Sequence, residues 1–335
     1  MQIDGALLTS DPAEAKEAAR TLEAQGFDGV LAFEASHDSF LTLALAAEHT
    51  TRVTLTTGIA IAFARNPMTC AYAANDLQLL SRGRFVLGLG TQIRPHIEKR
   101  FSQPWSKPNA RMRDFVRALR AIFEAWDTGQ RLDYRGAFYT HTLMTPFFSP
   151  GPNPYGRPKI ALAGFGPRMI AVAGEVADGW IVHPLHTPSY VRDQAMPALE
   201  TGLAKSGRTR RDVEIASQTI VMMGDTDEQI ATGRMKAKGQ IAFYGSTPAY
   251  RVMLDHHGWG HLQPELNAMS KQGRWMDMVG LVTDEMLDAI GVSGRPTDVG
   301  RRLRERNAWA DRTHVVLYNE TAPEAVVDLV RAYKS

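Results

Sequence analysis

Cysteine is nearly missing from this chain: Cys70 stands alone among 335 residues. One thiol excludes an intrachain disulfide and a cysteine-based zinc site, and it fits a reducing compartment. Long apolar runs are missing too, and none reaches the length that crosses a bilayer. The first residues, MQIDGALLTS, hold no basic segment followed by an apolar one, so no secretory leader is read there and a cytoplasmic protein is expected. Neither sign of charge prevails. Lys plus Arg number 38 and Asp plus Glu 36, a formal charge of +2, which argues against a nucleic-acid partner or a membrane surface. The basic runs Arg208 to Arg211 and Arg301 to Arg306 read as solvated faces.

What the chain does have is alternation. Apolar β-like segments at Ile3 to Leu8, Gly29 to Phe33, Val53 to Ile61 and Phe85 to Leu89 take turns with helical patterns near Pro12 to Gln25, Phe40 to His49, Pro67 to Leu80 and Ala110 to Trp126. Leu132 to Thr140 reads as a short hairpin, and Pro146 to Pro158, rich in Pro and Gly, as a connection. The fifth and sixth strands flank Gly164 to Gly179. Pro188 to Lys205 then reads as a helix, Val213 to Met223 as a strand, Asp227 to Gln240 as the start of a helix, His314 to Tyr318 as the last strand and Pro323 to Tyr333 as the last helix. Eight strands alternating with eight helices predict a (β/α)8 TIM barrel forming one domain over residues 1–335. Residues 243–295 do not fit the repeat and carry irregularly spaced aromatics, among them Tyr244, Tyr250 and Trp259. They predict a helical insertion between strands seven and eight, placed as a lid near the active site, because the catalytic end of a barrel is built from the loops after its strands.

The segment Lys159 to Val182, KIALAGFGPRMIAVAGEVADGWIV, reads as one βαβ unit. Gly164 and Gly166 remove two side chains where the strand ends, and Pro167 suits the first helical position. The amides that follow have no intrahelical acceptor, so together with the helix dipole they favour an anion such as a phosphate. An ordinary tight strand-to-helix loop would look the same in isolation. Neither Gly88-x-Gly90 nor Gly164-x-Gly166 has the third glycine of a dinucleotide fingerprint in register.

Three blocks together carry a family resemblance: Thr57-Gly58-Ile59 with Arg65-Asn66-Pro67; Ser81 to Gly90, SRGRFVLGLG; and Gly164 to Gly179. Over nearly its whole length the chain resembles the luciferase-like monooxygenase superfamily, and within it the oxidoreductases that use the deazaflavin coenzyme F420. That resemblance implies a bulge at the end of strand three, often with a non-proline cis peptide, on which the tricyclic ring rests; Gly58 and Ile59 hold the matching position. It implies ring or tail contacts at Thr91 and Gln92, and a tail held by Gly164, Phe165, Gly166, Pro167, Arg168 and Met169. It also implies a homodimer, and hydride transfer at the deazaflavin C5 to or from a small organic substrate. The alternatives are an FMN-dependent monooxygenase on the same scaffold and a non-catalytic flavin-binding protein.

Such a hydride step asks for placement of two partners, exclusion of water and one proton, with no triad or metal. Family members often carry an Asp-His pair after strand two, where this chain has Glu34-Ala35. Candidate acid-base groups are therefore Glu34, His37 three residues on, and His183 at the end of strand six, since histidine donates or accepts near neutral pH. Tyr244 and Trp259 are the candidate substrate-pocket residues, from the insertion. His256, His257 and His261 do not make a metal site in this reading, because Gly258-Trp259-Gly260 breaks the helix that would align them and no acidic ligand is suitably spaced.

Overall fold

The structure, a computed structural model, describes residues 1–335. Its centre is a closed parallel barrel of eight strands: β1 Gln2–Leu7, β2 Gly29–Ala32, β3 Thr54–Thr57, β4 Phe85–Gly90, β5 Lys159–Gly164, β6 Gly179–Val182, β7 Glu214–Met223 and β8 Arg312–Leu317. Each strand pairs with the next, and β8 closes on β1 with Ile3 opposite Thr313. The (β/α)8 expectation holds. Strands such as Gly29–Ala32 and Gly179–Val182 are buried along their whole length, as expected where helices cover the outside and side chains fill the inside.

Helix starts follow local chemistry. Asn66 caps the helix Pro67–Leu80 by accepting from Thr69 N, and Thr226 and Gln229 form a capping box at Asp227–Gly245. The hairpin pairs Tyr134–Arg135 with Thr140–His141, and it is tied to the helix Pro108–Thr128 through Asp114, which accepts from Phe138 N and Tyr139 N at 2.7 and 3.0 Å. The end of the barrel away from the candidate site is held by Arg312, which donates to Asp4 at 2.5 Å and Glu214 at 3.1 Å and so links β8 to β1 and β7.

Between β7 and β8, the helix whose start was read over Asp227 to Gln240 runs from Asp227 to Gly245. Four short helices follow: Arg251–His256, Leu262–Lys271, Trp275–Val279 and Asp284–Ile290. Val292–Gly294 then adds a short strand beside the end of β7, and Pro296–Arg306 is the helix that leads into β8. Arg306 fastens the end of this segment to the barrel by donating to the carbonyls of Ala289 and Ile290, at 2.8 and 2.9 Å.

Candidate active site

The C-terminal ends of the strands carry the candidate site, and β3 is where the barrel is most irregular. Thr56 pairs with Val86, and pairing resumes only at Ala60 with Leu89, so residues 57, 58 and 59 stand opposite residues 87 and 88. One extra residue makes a bulge. The Gly58-Ile59 peptide within it is cis. Side-chain hydrogen bonds replace the missing ladder: Thr57 Oγ1 donates to Gly88 O at 2.7 Å and accepts from Gly88 N at 2.8 Å. Both glycines are needed for space, since a Cβ on Gly88 would lie 2.0 Å from the Thr57 carbonyl oxygen and one on Gly58 would lie 2.6 Å from Leu31 Cδ1.

Glu34, just beyond β2, reaches this bulge. Its Oε2 accepts from Ile61 N at 2.7 Å, and both its oxygens accept from Arg65 Nη1, at 2.8 and 2.7 Å. Arg65 in turn donates to Ile61 O at 3.3 Å and to Asp38 at 2.8 Å, and its guanidinium lies over the Phe40 ring. His37 is engaged elsewhere, its Nε2 at 2.9 Å from Ser10 O. At the end of β4, Gln92 takes a left-handed conformation, φ 58°, in which its side-chain oxygen accepts from Ile93 N at 3.0 Å and its main-chain oxygen accepts from Thr91 Oγ1 at 2.8 Å.

After β5, the strand next to β4, comes the start of the helix Pro167–Val176. Gly166 is its N-cap and supplies no side-chain acceptor, and Pro167 has no N–H. A Cβ on Gly166 would meet nothing within 4 Å. Arg168 is exposed and pairs with no carboxylate, although a cation in the first turn opposes the helix dipole. Met169 N and Ile170 N both donate to Gly166 O, so the open space, the Arg168 amide and its free guanidinium form a cradle suited to an anionic group. Gly164 is constrained for a different reason, since its Cβ would press on the backbone of Met169 and Ile170 at 3.1 Å.

Beside this cradle sits an aromatic cluster around His183. The His183 ring centroid is 5.3 Å from Phe165, 4.6 Å from Tyr244 and 4.4 Å from Tyr250, while Phe165 and Tyr250 are 4.5 Å apart. Tyr190 adds a hydrogen bond from its hydroxyl to Phe165 O at 3.0 Å. Burial among these rings lowers the His183 pKa to about 3, so the imidazole is neutral at working pH. Leu185 N donates to His183 Nδ1 at 3.1 Å, which assigns the proton to Nε2. No protein group accepts from that Nε2–H, and His183 is a hydrogen-bond donor without a partner at the barrel mouth. Tyr244 neighbours Tyr318, just past the end of β8, and burial raises its pKa. Burial also pushes the Tyr250 phenol up to about 12, so it keeps its proton.

The structure thus gathers His183, Phe165 and Tyr244 in one cluster and separates Trp259 from it. Trp259 stacks on His257, ring centroids 4.4 Å apart, and His257 Nε2 lies 2.7 Å from Thr187 Oγ1. Tyr250, from the same insertion, is the ring that packs on His183. His256 packs on the His257 ring, centroids 4.9 Å apart, with its Nε2 3.3 Å from Ser189 Oγ, while His261 Nδ1 lies 3.1 Å from Gly258 O. No three His, Cys, Asp or Glu side chains come together as a metal site would need, and no helix is long and apolar enough to cross a membrane. Arg65, Tyr190, Tyr250 and Tyr318 were not singled out as site residues by the sequence. Arg65 was nonetheless inside the Arg-Asn-Pro block, and Tyr250 was among the aromatics of the insertion.

This placement gives a paired expectation. Tyr250→Ala raises substrate KM or lowers kcat by about tenfold, because it removes a ring packed on His183, whereas Trp259→Ala leaves both within about twofold and lowers only the melting temperature. Steady-state kinetics of the two variants, beside their melting curves, check it; equal kinetic losses would contradict the placement.

The chain belongs to the luciferase-like monooxygenase family, whose description matches residues 1–313. An uncharacterised protein of Mycobacterium tuberculosis is 51% identical over 306 residues, covering 91% of this chain and 90% of that protein. The 5,10-methylenetetrahydromethanopterin reductase of Archaeoglobus fulgidus is 29% identical over 289 residues, covering 84% of this chain and 81% of the reductase. Among solved structures, the coenzyme F420 dependent tetrahydromethanopterin reductase from Methanopyrus kandleri superposes with a TM-score of 0.79 at 20% identity, covering 98% of this chain and 96% of that one. At that identity the likeness speaks for the fold.

Proposed function

We infer that the protein is a coenzyme F420-dependent oxidoreductase acting on a small organic substrate with a C=O, C=N or C=C bond, in the reducing direction or the reverse. The observation that carries this reading is the cradle at Gly166. It is glycine-built and uncapped, with Arg168 free of any carboxylate, and it opens at the same end of the barrel as the Gly58-Ile59 bulge. Gly164 to Met169 would hold the anionic tail, and Gly58, Ile59, Thr91 and Gln92 would bound the ring. When bound, the deazaflavin supplies or takes the hydride at its C5.

The chain's own part is placement and polarisation. His183 donates from Nε2 to an acceptor atom of the substrate and stays neutral while doing so, because its pKa lies near 3. Phe165, Tyr244 and Tyr250 pack around the imidazole and offer flat apolar faces to the rest of the substrate. Glu34 has both its oxygens committed to Arg65 and Ile61, and His37 is bonded to Ser10. That leaves His183 as the candidate of the three with a free donor. Titration of the protein with deazaflavin and with FMN tests the reading, since FMN-dependent monooxygenation is the competing use of this scaffold.

A further inference from the structure

Glu34 lies just beyond β2, and its surroundings fit a task other than proton transfer. Its side chain is 9% exposed and Arg65 is 19% exposed, so the ion pair is largely shielded from water. Glu34 grips Ile61 by its N–H, at 2.7 Å, and Arg65 grips the same residue by its carbonyl, at 3.3 Å. Arg65 is itself fixed from its other end by Asp38 at 2.8 Å and from its face by Phe40. Asp38 is at the same time the cap of the helix Ser39–His49, accepting from Phe40 N at 2.8 Å. The result is a continuous connection from the start of that helix, through Arg65 and Glu34, to both backbone groups of Ile61. Ile61 is two residues past the Gly58-Ile59 bulge and pairs with Gly90 at the end of β4.

We propose that Glu34 is a positioning residue, which with Arg65 and Asp38 clamps Ile61 and so sets the place of the Gly58 to Ile61 segment against which the ring would rest. The proposal rests on the deazaflavin reading of the site for its functional consequence, and on the apoprotein alone for its structural one. A carboxylate bonded to a guanidinium through both oxygens and to a backbone N–H has no proton to give, and withdrawing it from the pair to make it an acid would leave Arg65 partly uncompensated. A clamp is a better use of that geometry than a proton relay.

The test compares Glu34→Ala and Glu34→Gln with the unaltered protein. Hydrogen exchange of the peptide covering residues 58–64, measured without cofactor, reads the clamp directly. Glu34→Ala is expected to raise exchange there at least tenfold while the rest of the barrel keeps its protection. Glu34→Gln, whose amide oxygen still accepts from Ile61 N, is expected to stay within about threefold. With coenzyme F420 added, Glu34→Ala should bind at least tenfold more weakly, with a shifted absorbance band of the bound ring, and Glu34→Gln should restore both. Arg65→Lys, which keeps a charge but loses the fork, should lie between them and serves if Glu34→Ala proves insoluble. Unchanged exchange at residues 58–64 in both Glu34→Ala and Arg65→Lys overturns the clamp. If exchange rises as expected but the unaltered protein takes no deazaflavin, the clamp stands and the cofactor reading fails. Glu34→Gln that binds coenzyme normally but loses more than a hundredfold in hydride transfer would return Glu34 to an acid-base role and overturn the proposal.

Discussion

Replacing His183 with phenylalanine is expected to lower kcat by about 100-fold and to leave deazaflavin affinity within about threefold, the loss typical of removing one donor aimed at developing charge. Phenylalanine keeps a flat ring among Phe165, Tyr244 and Tyr250, so the packing survives and the variant removes chiefly the Nε2–H. The pH dependence separates this role from general acid catalysis. Burial holds the folded-state pKa near 3, so the protonated ring is populated only below that value, and between pH 5 and pH 9 the neutral donor is present throughout. The unaltered protein should therefore show no limb in kcat from His183 over that range. A limb near pH 6.5 that disappears in His183→Phe would mean that the ring titrates in the working enzyme and acts as an acid.

Gly166→Val is expected to weaken coenzyme F420 binding at least tenfold, about 1.4 kcal/mol, with the melting temperature unchanged. Sterics inside the protein do not oppose the substitution. The backbone at Gly166 has φ −78°, which valine adopts, and a Cβ there meets no protein atom within 4 Å. The space the side chain would fill is space for a ligand, so any loss of affinity without loss of stability reports on what occupies it. Isothermal titration beside a melting curve decides the matter. Unchanged affinity would move the anionic tail away from the helix start.

Much of this could be read from the chain, for identifiable reasons. Gly164, Gly166 and Pro167 act through the backbone, by freeing space and fixing φ, so the turn they make is legible without knowing their neighbours. The strands were legible because each is a short apolar run between turn signals, and the helix that starts over Asp227 to Gln240 continues to Gly245 without altering the topology. The bulge at Gly58 was legible only through family resemblance, since the register that creates it depends on β4. The chemical state of His183 was not legible at all. It depends on Phe165 before it and on Tyr244 and Tyr250 well after it, three segments that meet only in the folded barrel. The same holds for Glu34, whose partner Arg65 lies 31 residues away. Tyr250 and Trp259 show the limit most plainly: both are aromatic, both lie in one insertion, and spacing does not tell which faces the mouth.

The most direct test is a competitive titration of the apoprotein with coenzyme F420 and FMN, followed by fluorescence and absorbance of the bound ring. The account predicts saturable binding of coenzyme F420 in the micromolar range, at least tenfold tighter than FMN, with reduced coenzyme oxidised anaerobically when a ketone, imine or enone is supplied. Preference for FMN, with product formed only in the presence of oxygen, would contradict it.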